Sequence, residues 1–178
     1  MKKFVLFLIP LIILTGCGNM EIGNTPSKKV EDFLNRYQTL DKNVLDDLDN
    51  TLTGEANLTD TERKEYRDFM KKHYQDMKYE IKDETIDGDN ATVTTEVTVR
   101  DYSAAVSSAD AYRNDNPDQF DGDNDALSFS SYRLDELKKV SDTVTYTINF
   151  TLTKQDDKWV LDQLSNEDLN KINGLYAG

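Results

Sequence analysis

Residues 87–99, DGDNATVTTEVTV, are the stretch on which the fold turns. Asp87-Gly88 supplies the positive backbone angles that a tight turn demands, so residues 87–90 read as the tip of a hairpin. Val93, Thr95, Val97 and Val99 then recur at every second position and line one face of the returning strand. Upstream, Met77, Tyr79 and Ile81 alternate in the same way, but Ile86 is out of step, which predicts a bulge or an early strand end near Asp83.

The same alternation returns later in the chain. Val144, Tyr146, Ile148, Phe150 and Leu152 are interleaved with threonines and Asn149, and Gln155-Asp156-Asp157 turns the chain into Lys158-Trp159-Val160-Leu161. Two hairpins, each with one apolar face, predict a four-stranded antiparallel sheet. Helical periodicity precedes them. Val30, Phe33, Leu34, Tyr37, Val44, Leu45 and Leu48 fall on one face over Ser27 to about Asn50, opened by a Thr25 cap and Pro26. Thr51 to Asn57 reads as a loop. Thr59 to Glu62 forms a capping box, and Tyr66, Phe69, Met70, His73, Tyr74 and Met77 make a second stripe. Between the hairpins, Ser103–Arg113 and Phe129–Val140 read as short helices joined by an acidic linker. Ser165 opens a last helix, which Gly174 ends.

The order helix, helix, hairpin, insertion, hairpin, closed by a lysine and tryptophan at 158 and 159, resembles the nuclear transport factor 2-like, cystatin-related α+β arrangement. That resemblance implies two N-terminal helices packed on a curved four-stranded antiparallel sheet, with a helical insertion between the two hairpins. It carries over no catalytic residue.

The start of the chain has a different character. Lys2 and Lys3 precede an apolar run from Phe4 to Leu14, well short of the ~20 residues a spanning helix needs, so an export signal is expected. The run closes on Leu14-Thr15-Gly16-Cys17, which resembles the lipobox of bacterial lipoprotein precursors. The resemblance implies diacylglycerol on the Cys17 thiol, cleavage before it and acylation of the new amino group. One acyl chain binds a membrane only marginally, and two or more hold it. The expected organisation is therefore a signal over 1–16, a lipidated cysteine and short tether over 17–25, and one acidic domain over 26–178. The eight residues after Cys17 reach at most about 30 Å, so the domain would stand at the extracytoplasmic face, close to the bilayer. Gly18 lacks the acidic side chain associated with inner-membrane retention. Whether the host has one membrane or two stays open.

Composition excludes some classes. The formal charge of -13 gives no basic footprint for nucleic acid. Cys17 is the only cysteine, so the mature domain has no internal disulfide, cysteine zinc site or cysteine nucleophile available.

Three features bear on chemistry. Asp121, Asp123 and Asp125 match the first three ligand positions of a calcium loop, but Ala126 stands where the loop needs glycine and Tyr132 where it needs glutamate. A solvated acidic loop is the better reading, with weak calcium binding as its alternative. His73, the single histidine, falls on an apolar stripe and reads as a half-buried structural residue. The tyrosines at 37, 66, 74, 79, 102, 112, 132 and 146 read mainly as packing between helices and sheet. Asp101 beside Tyr102 is the one pair that would suit isomerase-like chemistry, which needs a carboxylic acid of raised pKa. The expected function is a membrane-anchored envelope domain, binding a small ligand or a protein partner without cofactors. The alternative is a cone-pocket enzyme working by carboxylate acid/base chemistry.

Overall fold

The computed structural model describes residues 23–55, 58–120 and 128–177. Among these, the elements run α1 (Pro26–Gln38), α2 (Lys42–Gly54), α3 (Asp60–Asp76), β1 (Lys78–Asp87), β2 (Asn90–Arg100), α4 (Ser103–Asp115), α5 (Phe129–Lys139), β3 (Thr143–Gln155), β4 (Lys158–Leu161) and α6 (Asn166–Ile172). A single 3-10 turn, Pro117–Gln119, follows α4. The class is α+β.

The strands form one antiparallel sheet in the order β1-β2-β3-β4. β2 pairs with β3 from Asn90↔Thr153 to Arg100↔Thr143, so the strands on either side of the helical insertion are neighbours. Ala91, Val93, Thr95, Val97 and Val99 of β2 are buried with Ile148, Phe150 and Leu152 of β3. Val30 and Leu34 of α1, Ile172 of α6 and Trp159 of β4 complete this core. The opposite face carries short polar side chains, with Thr94 bonded to Asn149 at 2.9 Å and Thr98 to Thr145 at 2.8 Å.

The first hairpin turns on Gly88, with φ of 60°, between the paired Asp87 and Asn90. The second turns on Asp156 and Asp157, with φ of 48° and 60°. In β1 the register shifts between Ile81 and Asp83, so the irregularity is a bulge and the strand continues. Skipping one residue exchanges the two faces of everything beyond it. Glu84 thereby pairs with Val93, on the helix side of the sheet. There its carboxylate accepts the Ser27 N–H at 2.8 Å and the Ser27 hydroxyl, satisfying the start of α1. Ile86 returns to the same face as Ala91 but lies at the sheet end, 42% exposed.

The N-terminal part differs from its sequence reading: three helices stand where two were expected. The apolar stripe through residue 50 is broken at Leu40, which adopts φ of 55°. Asp41 N–H closes back on the Arg36 carbonyl at 2.8 Å, and Leu40 occupies the left-handed position that usually falls to glycine. The Asp41 carboxylate then accepts the Asn43 N–H at 2.9 Å and starts α2. That helix runs on to Gly54, taking up the first part of the loop expected over Thr51–Asn57. α1 and α3 lie on the sheet, whereas α2 packs on α3.

Candidate functional site

α2 carries its own small core. Val44, Leu48 and Leu52 meet Tyr74 of α3, with Tyr37, Leu40, Leu58, Tyr66 and Met70 around them. This cluster is separate from the core on the sheet, and between helices that do not fully close lies a cavity of about 540 Å³. Val44, Leu48 and Leu52 form one wall, and Tyr66, Phe69, Met70 and Tyr74 of α3 form the floor. Phe129, Ser130, Arg133 and Leu137 of α5 form the far wall, joined by Tyr37, Tyr102, Arg113, Asn173 and Leu175.

The tyrosines keep their protons here. Burial pushes the Tyr74 hydroxyl up to about 12, reinforced by Tyr37 and Asp47. Burial also raises Tyr102 to about 12. Tyr66 is raised mainly by burial, against a lowering influence from Arg133, and its hydroxyl donates to the Ser130 carbonyl at 2.9 Å. The other tyrosines do different work. Tyr79 donates to Asn35 at 3.0 Å and Tyr146 to the Tyr176 carbonyl at 3.1 Å. Tyr112 stacks on Tyr132 at 5.1 Å on the outer side of the insertion.

Glu62, only 6% exposed, sits behind the cavity wall. Burial by itself would raise its pKa, but hydrogen bonds from Ser128, Thr59 and Ser131 outweigh that and hold the carboxyl down at about 2. Its Oε2 accepts the Thr59 N–H at 2.7 Å and hydroxyl at 2.6 Å, completing the capping box. Its Oε1 accepts the Ser131 hydroxyl at 2.9 Å and that of Ser128, the cap of α5. One carboxylate thus joins the starts of two helices. It is an acceptor, with no proton to give at neutral pH.

Asp101 and Tyr102 do not converge. The Asp101 carboxylate accepts the Ser103 N–H at 3.1 Å and hydroxyl at 2.6 Å, closing the start of α4. The Tyr102 ring turns inward, 5.3 Å from His73 and 5.2 Å from Phe69. His73 is buried more deeply than its half-buried reading, at 3% exposure, and its Nε2 meets the Ile172 carbonyl at 2.9 Å. Its Nδ1 has no partner among the described residues. A second hollow, of about 440 Å³, lies beside it between Asp76, Arg100 and Thr143.

Cys17 and the acidic triplet Asp121, Asp123 and Asp125 lie outside the described residues. Among those described, no three histidine, cysteine, aspartate or glutamate side chains converge as metal ligands, and no helix is long and apolar enough to cross a membrane.

No protein-family model, curated protein or solved structure matches the chain. Four of the expected tyrosines, 37, 66, 74 and 102, come together at the cavity, and Arg113, Arg133 and Asn173 join them unforeseen. Phe129, Arg133 and Leu137 share a helical face at four-residue spacing, and counting the arginine stem as apolar would have revealed that wall.

Proposed function

We propose that this chain is a lipoprotein of the cell envelope, held at the extracytoplasmic face of the membrane by acyl chains on Cys17. In this reading its helical side takes up a small ligand and releases it unchanged. The cavity under α2 is the observation that carries the binding part. Its volume lies within the roughly 300–1,000 Å³ typical of small-molecule sites, and its lining of rings and aliphatic chains with a few polar groups matches their usual chemistry. The anchor rests on the run Leu14-Thr15-Gly16-Cys17 after a short apolar segment. The finer fold reading, a curved sheet wrapped on its helices as in the nuclear transport factor 2-like class, belongs to the same proposal.

α2 closes one side of the cavity and is held to α3 mainly by polar ties from Arg67 to Asp49, at 2.6 and 3.1 Å, and from Arg63 to the Leu52 carbonyl at 3.2 Å. Acid/base catalysis is the weaker reading: the buried carboxylate, Glu62, is ionised and fully engaged, and the carboxylates that line the cavity, Asp47 and Glu55, are exposed to solvent rather than desolvated.

Labelled palmitate fed to the native host tests the anchor. The label is expected in the protein, and Cys17→Ser is expected to abolish labelling and move the chain out of the membrane fraction. An unlabelled native protein, or a serine variant that stays with membranes, would overturn the proposal.

A further inference from the structure

Resting on the reading of the cavity as a ligand site, we propose that its ligand is an apolar, ring-bearing molecule with one anionic group, seated with the anion at Arg133 and Arg113. Arg63, Arg67 and Arg100 each reach an aspartate within 4 Å, whereas Arg36, Arg113 and Arg133 pair with no carboxylate among the described residues, and the last two line the cavity. In a chain of net charge -13, these two guanidiniums put positive charge into the lining of the cavity. Arg113 lies 4.8 Å over the Phe129 ring, which holds its charge at the cavity wall. Arg133 is one turn further along α5 from that phenylalanine and close enough to Tyr66 to act on its hydroxyl. A neutral occupant would strip water from the half-buried Arg133 and return nothing to it, while a carboxylate or sulfonate would replace the lost water with charge-assisted hydrogen bonds there and meet the exposed Arg113.

The opposite wall sets the orientation. Asp47 and Glu55 stand on the α2 side, so an anion is repelled there, and the apolar body is directed beneath Leu48 and Leu52. The aromatic rings of Phe69 and Tyr74 in the lining favour a flat, ring-bearing body over a flexible one.

The paired probes are 1-naphthaleneacetate and its neutral isostere 1-naphthaleneacetamide, titrated calorimetrically into the full-length protein in neutral detergent, against a micelle blank. The acetate is expected to bind at least tenfold more tightly than the amide. Arg113→Met with Arg133→Met should reduce that ratio below threefold, through weaker binding of the acetate. Arg133→Lys, a milder change, should keep part of the preference. Leu48→Trp, which fills the cavity, should abolish binding of both. Equal affinities in the native protein, or a preference that survives the double variant, would overturn the anionic assignment and leave the cavity as a ligand site. Loss of both probes from the native protein, or their retention after Leu48→Trp, would overturn the cavity reading as well.

Discussion

Gly174, at the end of α6, is pressed against the main-chain carbonyl of Arg100 at the end of β2. A β-carbon on the glycine would overlap that oxygen, and the glycine itself holds φ of 68°. Its own carbonyl accepts the Tyr102 N–H at 2.8 Å, so the contact fixes the last helix to the sheet in both directions. Both the left-handed backbone and the lack of space exclude a side chain. Gly174→Ala is therefore expected to cost about 3 kcal/mol or more of unfolding free energy in urea. A loss below about 1 kcal/mol would contradict the close approach.

Glu62 gives the fold an acid limit. Its folded pKa lies below its unfolded value of 4.5, so its stabilisation is complete above about 4.5 and is lost as pH falls toward about 2. Glu62→Gln should cost on the order of 2–3 kcal/mol at neutral pH and flatten the stability curve in that acid window. Urea titrations of both proteins at pH 7, 4 and 3 check it. A variant with an unchanged acid slope would assign the acid sensitivity elsewhere.

His73 acts in a higher window. Burial lowers its pKa below the ordinary 6.5, partly opposed by the Ile172 carbonyl and Asp76, with Arg100 lowering it further. The unfolded chain therefore binds a proton that the folded one refuses, and stability is full above about 6.5 and declines below it. His73→Phe is expected to remove the slope between pH 7 and pH 5 even where it lowers stability throughout. Thermal melts across that range read the difference, and a slope equal to that of the parent would refute the assignment.

Thr95 is fully buried at the centre of β2, and its hydroxyl has no hydrogen-bond partner among the described residues. Valine has nearly the same shape and no group to leave unsatisfied. Thr95→Val should stabilise the domain by about 1–2 kcal/mol, read as a higher urea midpoint with the slope unchanged. A destabilised variant would show that the hydroxyl has a partner after all.

The sheet was readable because its signals are local. Strict alternation from Val93 to Val99 and turn residues at 87–90 and 155–157 are confined to neighbours in sequence, and the pairing follows them. The break at Leu40 was hidden for a specific reason. Tyr37 and Val44 are seven residues apart, two helical turns, so the apolar stripe keeps its phase across the interruption. Asp41 as a second helix cap was the available clue. Glu62 was legible as half of a capping box, but its bonds to Ser128 and Ser131 span more than sixty residues and need the tertiary fold. The cavity is likewise a product of assembly. Tyr66, Phe69 and Met70 have the same periodic spacing whether a helix face is filled or left hollow.

Asn24 ties the start of α1 to the final hairpin. Its amide donates to the Asp157 carbonyl at 2.9 Å and accepts the Trp159 N–H at 3.1 Å, spanning the final hairpin from the far end of the chain. A protein trimmed up to this residue keeps both bonds, while one trimmed a single position further bares the main chain around the Asp156-Asp157 bend. One side-chain amide, set two residues ahead of the first helical turn, thus clasps the start of the described chain to its last hairpin.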